Sequence, residues 1–290
     1  MIALRRPSVC VVMPAYNAAE TLPRAAQSVL EQSYEPLVLA IAVQPGDAKT
    51  IAVAEAIEDP RVVVIYRDAK GIANARNSAI RAVRADLYMF LDSDDSHNGE
   101  IVQTYVQNHL DHPEPALRYG DWIGVNPRTG RRRVRKVPRP RWKPYEQLLI
   151  DNFIATCTVM VDSTILDDVG LFDERYRHAE DWDLWLRIAS RYPLVHTGVM
   201  ASLYRETKKG KIYPRSFFRS EQEIARAQPT AWGWRALALA FAHARYGAYY
   251  LRTLGIRECL RQRIDVSLTD LVCLPALAML KLYRFRRLPM

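Results

Sequence analysis

The sequence predicts an α/β protein with a mostly parallel central sheet and helices on both of its faces. Four short apolar runs have the length and composition of buried strands, at 9–13, 37–43, 62–66 and 87–92. Between them lie stretches with the apolar spacing of helices, at 22–30, 51–57 and 71–84. Strands and helices that alternate through short connections are typical of a doubly wound sheet.

Beyond residue 95 the pattern loosens, but it still predicts regular elements. These are a helix at 101–110, strands at 116–122 and 157–161, a turn at 169–174 and a helical, Arg-rich stretch from residue 232. The chain has 290 residues, of which 49% are hydrophobic and 25% charged, which is enough for a full globular core.

The cysteines and the apolar runs indicate where the protein works. The four cysteines lie far apart, without metal or redox spacing, which suits a reducing compartment. No signal peptide is read at the N-terminus, and the longest apolar run, 271–280, is too short to span a bilayer. We therefore expect a cytoplasmic protein.

The formal net charge of +9 is concentrated in two segments. Residues 128–143 hold nine basic residues and no acidic one, and residues 229–290 hold ten basic and three acidic. This distribution argues against nucleic-acid binding by a uniformly basic surface. Segment 128–143 is either a solvated, mobile loop or a patch for a polyanion, which would be an acidic glycan, a phospholipid surface or a lipid phosphate. Segment 265–290 is either an interfacial membrane anchor or a helix packed on the main domain or on a second subunit.

An acidic turn closes the fourth predicted strand. Its residues are Asp92, Ser93, Asp94 and Asp95. A two-residue spacing puts Asp92 and Asp94 on one side of an extended chain, where both can reach one divalent ion or bridging ligand. The alternative is a solvated acidic turn. Asn17, Gln44 and Asp92 each lie at the carboxyl end of a predicted strand, so we expect them to converge at one edge of the sheet.

One arginine interrupts the apolar stripe of the helix at 71–84. Arg76 shares that stripe with Ile72 and Ile80, and a guanidinium in such a place requires an anion. Its closeness to the helix start favours a phosphate. The alternatives are an arginine that extends past its neighbours to solvent, or one paired with an aspartate.

A second acidic cluster begins the predicted helix near residue 180. Helical spacing places Asp181 on the face of Leu184 and Trp185, and directs Glu180 and Asp183 elsewhere. A carboxylate that faces the interior at a helix start is suited to act as a base. The alternative is that Asp181 caps the helix, which is the commoner role for such a residue.

Three stretches together resemble the family-two glycosyltransferases. They are PAYNAAETLPRAAQSVLEQSY, GIANARNSAIRAVRADLYMFLDSDD and VGLFDERYRHAEDWDLWLRIA, in the family's order and spacing, and the resemblance covers about Ser8 to Arg205. It implies the Rossmann-like nucleotide-diphospho-sugar transferase fold of the A type. It also implies inverting transfer from an activated sugar with Mn²⁺ or Mg²⁺.

The resemblance assigns roles to particular residues. The nucleotide-sugar would be bound by Pro14, Ala15, Tyr16, Asn17, Gln44, Arg76, Asp92, Ser93 and Asp94. Asp92 and Asp94 form the DxD pair that holds ribose and metal, and Arg76 meets the diphosphate. Asp181 is the general base. Glu180 and Trp182 are expected at the acceptor, where Trp182 or Trp185 would offer an aromatic wall to a sugar.

Two positions depart from the family pattern. The second strand usually ends in Asp-Asp-Gly-Ser, whose first Asp contacts the base, and here the residues are Val43-Gln44-Pro45-Gly46. Gln44 can hydrogen-bond a nucleobase through its amide. Family members often carry a histidine after the Tyr-Arg of the last strand, where this chain has Glu206-Thr207-Lys208, so no third protein ligand for the metal is evident.

The sequence therefore predicts an enzyme of cell-surface polysaccharide synthesis. It would move a sugar from a nucleotide-diphosphate donor, expected to be UDP-linked, to a hydroxyl of a glycan or lipid-linked acceptor. A non-catalytic nucleotide-sugar-binding scaffold is the alternative. We expect a catalytic domain at 1–228, with a donor half at about 1–122 and an acceptor half at about 144–228, followed by a basic extension at 229–290. Peripheral contact with the inner face of the cell membrane and a homo-oligomer are further expectations.

Overall fold

The structure is a computed structural model that describes residues 5–67, 69–140, 142–205, 215–230, 233–242 and 244. The predicted segments at 265–290 and 271–280 lie outside the described residues, as do Glu206, Thr207 and Lys208.

The first part of the chain forms the parallel half of the sheet. Its strands are β1 (Val9–Ala15), β2 (Leu37–Val43), β3 (Val62–Tyr66) and β4 (Leu87–Phe90), in the spatial order β3-β2-β1-β4. All three pairings are parallel, and the connecting helices are α1 (Leu22–Leu30), α2 (Ala48–Glu55) and α3 (Ile72–Ala82). The predicted alternation of strands and helices is confirmed.

The second part of the chain extends the sheet with mixed pairing. Its strands are β5 (Ser96–His97), β6 (Leu117–Val125), β7 (Arg132–Arg135), β8 (Met160–Asp162) and β9 (Leu194–Arg205). Its helices are α4 (Ile101–Asp111), α5 (Pro144–Ile150), α6 (Ser163–Val169), α7 (Glu180–Ala189) and α8 (Arg215–Ala227). The order continues β4-β8-β6-β9-β5, with β7 paired to β6. Strand β8 runs antiparallel to β4 and β6, whereas β6 and β9 are parallel.

Two elements of the second part differ from the prediction. The stretch 157–161 is a 3₁₀ turn (Thr156–Thr158) followed by the short strand β8. The basic segment, predicted as a loop or patch, contains the fully exposed strand β7. A turn forms this hairpin: Asn126 Oδ1 accepts hydrogen bonds from the amides of Arg128 and Thr129, and Gly130 adopts φ +66°. Glycine takes this left-handed conformation without steric cost.

The hydrophobic core lies around the parallel strands. Residues of β1, β2 and β4 pack with the apolar faces of α1 and α4 into one cluster of buried side chains. All seven residues of β1 and all four of β4 are buried. Strands buried on both faces carry uninterrupted apolar runs, which is why their sequences indicated them clearly.

The chain divides into two compact units. The first contains Met1–Arg139, Ile154–Arg175 and Glu180–Thr207 and holds the sheet described above. The second contains Pro140–Phe153, Tyr176–Ala179 and Lys208–Met290. Within the second unit the ammonium of Lys143 lies 5.1 Å from the ring centres of both Trp142 and Trp234. The predicted boundary at residue 228 stays a prediction.

No helix in the described part of the chain combines the length and the apolar character needed to cross a membrane.

Candidate functional site

The predicted site residues lie where the parallel strands of the first unit end. Pro14 and Ala15 are the last residues of β1 and are buried, whereas Tyr16 and Asn17 follow the strand and are exposed. Gln44 follows β2, and the acidic turn follows β4. Because these strands are parallel and adjacent, their carboxyl ends share one edge of the sheet.

Asp47, which the sequence did not single out for the site, fixes the loop after β1. Its Oδ2 accepts a 2.6 Å hydrogen bond from the amide of Asn17, and its Oδ1 accepts one from the amide of Thr50 at the start of α2. Desolvation opposes ionisation, but the hydrogen bonds from Thr50 and Asn17 outweigh it and hold the pKa of Asp47 below its usual range. Asp47 therefore acts as the N-cap of α2 and as an anchor for Asn17.

The acidic turn is packed more tightly than a solvated loop. Asp95 is 1% exposed; its Oδ1 accepts a 2.7 Å hydrogen bond from the amide of Arg205. The carbonyl of Asp94 accepts a 2.6 Å hydrogen bond from Arg24. Burial first, and the charge of Asp92 second, raise the pKa of Asp94 and raise that of Asp95 well above its usual range. These carboxyl groups resist ionisation beside one another, and a bound cation would relieve their repulsion.

The acidic turn fits a divalent metal ion. Asp95 is buried with the thiol of Cys157 close to its carboxyl group, and the oxygen donors of Asp92 and Asp94 are of the type that Mg²⁺ and Mn²⁺ prefer. Among the described residues no group of three or more His, Cys, Asp or Glu side chains is arranged to hold a metal. A site with one or two carboxylates that is completed by substrate phosphates is usual for Mg²⁺.

Arg76 on α3 joins two carboxylates from distant parts of the chain. It is 2% exposed; Nη2 donates to Asp92 Oδ1 at 2.9 Å and Nη1 donates to Glu180 Oε1 at 2.7 Å. Its guanidinium also lies 5.2 Å from the ring centre of Phe172. Desolvation disfavours the charge, but Asp92 and Glu180 outweigh it and raise the pKa of Arg76. Of the alternatives, pairing with an aspartate is therefore the one observed, and the contact with a diphosphate stays a prediction.

The predicted orientation of the acidic residues at the start of α7 is wrong. Glu180 and Asp183 do not point away from the interior: they are 6% and 7% exposed. Arg76 neutralises Glu180, and Arg187 donates to Asp183 at 2.9 Å.

Asp181 is the more accessible acid of the pair at the start of α7. It is only partly buried; its Oδ2 accepts a 2.7 Å hydrogen bond from the hydroxyl of Thr156, and its Oδ1 accepts one from the amide of Trp182. Helix α7 begins at Glu180, so Asp181 lies in its first turn and not at the residue before it.

Burial raises the pKa of Glu180 to about 7, against the opposing charge of Arg76 and with a further upward contribution from Asp181. The structure thus brings Arg76, Asp92 and Glu180 into direct contact, with Asp181 near enough to act on both Arg76 and Glu180.

The two tryptophans of α7 are core residues. Trp182 is 1% exposed and Trp185 is 0% exposed. The ring centre of Trp185 lies 5.8 Å from that of Phe90 and 6.0 Å from that of Phe172. The expectation that one of them offers an aromatic wall to a sugar is wrong for this structure, because neither indole has an accessible face.

Gln44 is paired with an arginine that the sequence analysis missed. Gln44 is 8% exposed; its Oε1 accepts a 2.7 Å hydrogen bond from Nη2 of Arg67, which is 4% exposed. Arg67 directly follows β3 and so lies at the same edge of the sheet. Its position after a predicted strand was the signal that could have identified it.

Comparisons with known proteins agree with this arrangement. The family model described as Glycosyl transferase family 2 matches residues 10–166. The chain is 29% identical over 200 residues, 68% of its length and 76% of the relative's, to the Escherichia coli UDP-Glc:alpha-D-GlcNAc-diphosphoundecaprenol beta-1,3-glucosyltransferase WfgD. It is 26% identical over 197 residues to an uncharacterized glycosyltransferase of Rickettsia typhi, covering 64% of this chain and 61% of that relative.

The fold also matches a solved structure. The crystal structure of Staphylococcus aureus TarS 1–349 in complex with UDP has a TM-score of 0.63 at 16% identity, covering 92% of this chain and 81% of that chain. At this level of identity the likeness is one of fold.

Proposed function

Because the chain belongs to glycosyl transferase family 2 and has its A-type fold, we propose that it catalyses inverting transfer of a sugar from a nucleotide-diphosphate donor to a hydroxyl. The observation that carries the proposal is the bridge by Arg76 between Asp92, in the acidic turn, and Glu180, beside Asp181 on α7. This bridge holds a candidate cation site next to a candidate base.

The donor would bind at the carboxyl edge of the parallel strands. Asp92 and Asp94 are the residues that would hold Mn²⁺ or Mg²⁺, and the ion, when bound, supplies positive charge to the leaving diphosphate. Tyr16 and Asn17 are exposed at the same edge and are suited to contact the nucleotide. Arg76 already carries two carboxylate partners, so we assign it first to fixing the geometry of Asp92 and Glu180.

Asp181 is the proposed base. In the reaction an acceptor oxygen forms a bond to the anomeric carbon as the bond from that carbon to the diphosphate oxygen breaks. The hydroxyl proton passes to Asp181, and the nucleoside diphosphate leaves with the bonding electrons. Attack from the face opposite the leaving group inverts the configuration. Asp181 suits this role better than Glu180 because it is partly exposed, whereas Glu180 is buried against Arg76.

The proposed donor is UDP-linked and the proposed acceptor is a lipid-linked glycan of cell-surface polysaccharide synthesis. These proposals are supported by the similarity to WfgD, whose name gives a UDP-linked donor and a diphosphoundecaprenol acceptor, and to TarS, solved with UDP and with UDP-GlcNAc.

An acceptor in a membrane would require the enzyme to work at its surface. We propose that the protein is cytoplasmic and binds the inner face of the cell membrane peripherally through its basic segments. The described part of 128–143 supports this proposal: strand β7 is fully exposed, and Arg131, Arg132 and Arg133 make no ion pair with the described residues. Each basic residue near an anionic surface contributes about 1 kcal/mol to binding.

The base assignment is tested by two isosteric variants. Asp181→Asn removes basicity; its oxygen can still accept from the amide of Trp182 and its nitrogen can donate to the hydroxyl of Thr156, so we expect unchanged UDP binding and a loss of at least ~10² in turnover. Glu180→Gln serves as the matched control and should retain more turnover. Release of UDP from UDP-sugars, with Mn²⁺ and a lipid-linked acceptor, measures both. Full activity of Asp181→Asn with an inactive Glu180→Gln would transfer the role of base to Glu180.

A scaffold that binds nucleotide sugar without turnover is the second candidate. The replacement of the family's acid by Gln44 favours it, since this position is expected to contact the base. Binding of UDP-sugars without hydrolysis or transfer to any acceptor would support the scaffold.

A further inference from the structure

An aromatic and cationic cluster lies on one face of the sheet, where β6, β7 and β9 run side by side. Trp122 on β6 is paired in register with Arg135 on β7 and with Ser202 on β9. Side chains of directly paired residues point to the same face, and along a strand every second side chain returns to that face. Arg135 and Tyr204 therefore share the face of Trp122, and we call these three residues the Trp122 cluster.

Ring contacts within the Trp122 cluster agree with this register. The ring centres of Trp122 and Tyr204 lie 5.1 Å apart, and the guanidinium of Arg135 lies 5.6 Å from the ring centre of Trp122. Trp122 is half-buried, whereas Arg135 is exposed and Tyr204 is 37% exposed. Gly124, the register partner of Tyr204 on β6, has no side chain to cover the phenol ring. The indole thus supports an accessible aromatic ring and an accessible cation side by side.

The face that carries the Trp122 cluster is joined to the proposed base by a single turn. The hydroxyl of Ser202, on the same face as Tyr204, donates to the carbonyl of Cys157 in the 3₁₀ turn. The preceding residue of that turn, Thr156, donates to Oδ2 of Asp181 at 2.7 Å. A ligand on this face is therefore close to the carboxylate that we propose as the base.

The same face ends at the carboxyl edge of the sheet. Strands β4, β6 and β9 run in one direction, because β8 is antiparallel to both β4 and β6, and β6 is parallel to β9. At this edge the amide of Arg205, the neighbour of Tyr204, donates to Asp95 in the acidic turn. Strand β9 therefore connects the Trp122 cluster to the acidic turn as well as to the base.

The accessible groups of the cluster suit two parts of a glycan ligand. The apolar face of a sugar ring packs on an aromatic ring, and a guanidinium binds phosphate through parallel hydrogen bonds. Arg133, two residues before Arg135, points to the same face, and β7 contains no acidic residue. A phenol ring beside two arginines favours a sugar that carries a phosphate over a neutral sugar.

We propose that the Trp122 cluster binds the acceptor through a sugar that has a phosphate group esterified at its anomeric carbon. This inference rests on the proposed function. Tyr204 packs on the sugar ring, Arg135 binds the phosphate, and Trp122 is a positioning residue that holds both. A hydroxyl of the sugar then faces Asp181, and the phosphate faces the exposed hairpin of β7.

Soluble probes separate the sugar from the phosphate. They are hexyl N-acetylglucosaminyl diphosphate, the uncharged hexyl N-acetylglucosaminide, and hexyl diphosphate without a sugar. Titration calorimetry of the full chain with UDP and Mn²⁺ gives the dissociation constant of each probe and requires no turnover. We expect the wild type to bind the complete probe roughly tenfold or more tightly than the uncharged one, the effect of one charge-assisted contact.

Substitutions assign each contact to its residue. Arg135→Gln should remove the preference for the complete probe and leave the affinity for the uncharged one unchanged. Tyr204→Leu should weaken both sugar-bearing probes by a common factor and leave hexyl diphosphate unchanged. Trp122→Leu should have both effects, because the indole contacts the ring and the guanidinium.

The matched control is Arg132→Gln. It makes the same change of charge on the same strand, but its side chain points to the opposite face, so the preference of the soluble probes should stay as in the wild type. Circular dichroism confirms that each variant is folded.

The outcomes that overturn the inference differ from those that overturn the proposed function. Equal binding of the complete and uncharged probes by the wild type overturns the inference and needs no variant. An Arg132→Gln variant that loses the preference as fully as Arg135→Gln also overturns it, since the hairpin would then act only through its total charge. Binding of UDP without binding of any probe leaves the proposed donor site standing, whereas binding of neither defeats both proposals.

Discussion

Replacing Arg76 by methionine is the perturbation that tests the bridge most directly. Methionine has nearly the length of the arginine stem and suits the apolar stripe of α3, but it removes both hydrogen bonds. The carboxylates of Asp92 and Glu180 then lose their shared cation. Asp92 has a side chain 32% exposed and can be solvated, whereas that of Glu180 is 8% exposed and cannot. The cost of the substitution therefore arises mainly at Glu180.

The size of the effect depends on pH. Removing one partner of a buried ion pair typically costs about 3–5 kcal/mol. Glu180 can escape this cost by keeping its proton, because burial raises its pKa to about 7 even with Arg76 present. The folded-state pKa exceeds the unfolded value, so this group favours folding at low pH, and its contribution is lost as pH rises through the folded pKa.

Without Arg76 the pKa of Glu180 rises further, and its proton must be removed at a higher pH. While Glu180 is protonated in the folded state and ionised in the unfolded state, the free energy of unfolding falls by about 1.4 kcal/mol per pH unit. Between pH 7 and 8.5 the stability of Arg76→Met should therefore fall about 1.5 kcal/mol more than that of the wild type, whose Glu180 is only about half protonated at pH 7.

Urea denaturation of the wild type and of Arg76→Met at pH 6, 7 and 8.5 measures this difference. The comparison requires that the unfolding free energies of the two proteins depend on urea concentration with the same slope. The matched control is the double variant Arg76→Met/Glu180→Gln, which removes the buried charge with its partner. It should be more stable than Arg76→Met at pH 8.5 and should lack the excess pH dependence. An equal loss at pH 6 and 8.5, or a double variant no more stable than the single one, would refute the reasoning.

Two further predictions concern the acidic turn and the basic hairpin. Asp94→Asn should remove the dependence of UDP binding on Mn²⁺. Its thermal unfolding temperature should stay the same or rise, because burial and Asp92 already oppose ionisation of Asp94. Calorimetry of UDP binding with and without EDTA measures the metal dependence, and an unchanged dependence contradicts the prediction. Arg132→Glu/Arg133→Glu should weaken co-sedimentation with anionic vesicles in a salt-dependent way, each lost cation costing about 1 kcal/mol. Equal sedimentation of wild type and variant would exclude the hairpin from membrane contact.

The parallel half of the fold could be predicted from the sequence because its strands are buried on both faces. Strands β2 and β3 have the bounds that their apolar runs indicated, and α3 differs from its prediction by one or two residues at each end. Strand β7 could not be predicted in this way. Its residues RRVR are all exposed, and they form a strand because they pair with β6. The sequence of β7 has no apolar pattern that would indicate this pairing.

The sequence indicated which residues form the candidate site, but it predicted the burial of their side chains only in part. The helical wheel assumes that a helix buries one face, and α7 is buried on nearly all sides: Trp182 through Leu186 are consecutive buried residues. Burial of Asp183 is supported by Arg187, four residues later, and could have been read from the sequence. Burial of Glu180 depends on Arg76, which is 104 residues away, and only the tertiary fold brings them together.

A buried arginine does not by itself mark a functional site in this protein. Arg118 is as buried as Arg76, but its partner Asp162 pairs in register with Leu87 at the start of β4, the end of that strand opposite to the acidic turn. Arg118 is also held by the carbonyls of His112 and Glu114, which use its donors locally. Arg76 and Arg67 lie instead at the carboxyl edge, where Arg76 faces two carboxyl groups and Arg67 makes no ion pair with the residues that the structure describes. At the edge that we propose for the donor, a charged ligand can correct such an imbalance, whereas the charges of the Arg118 cluster are already paired.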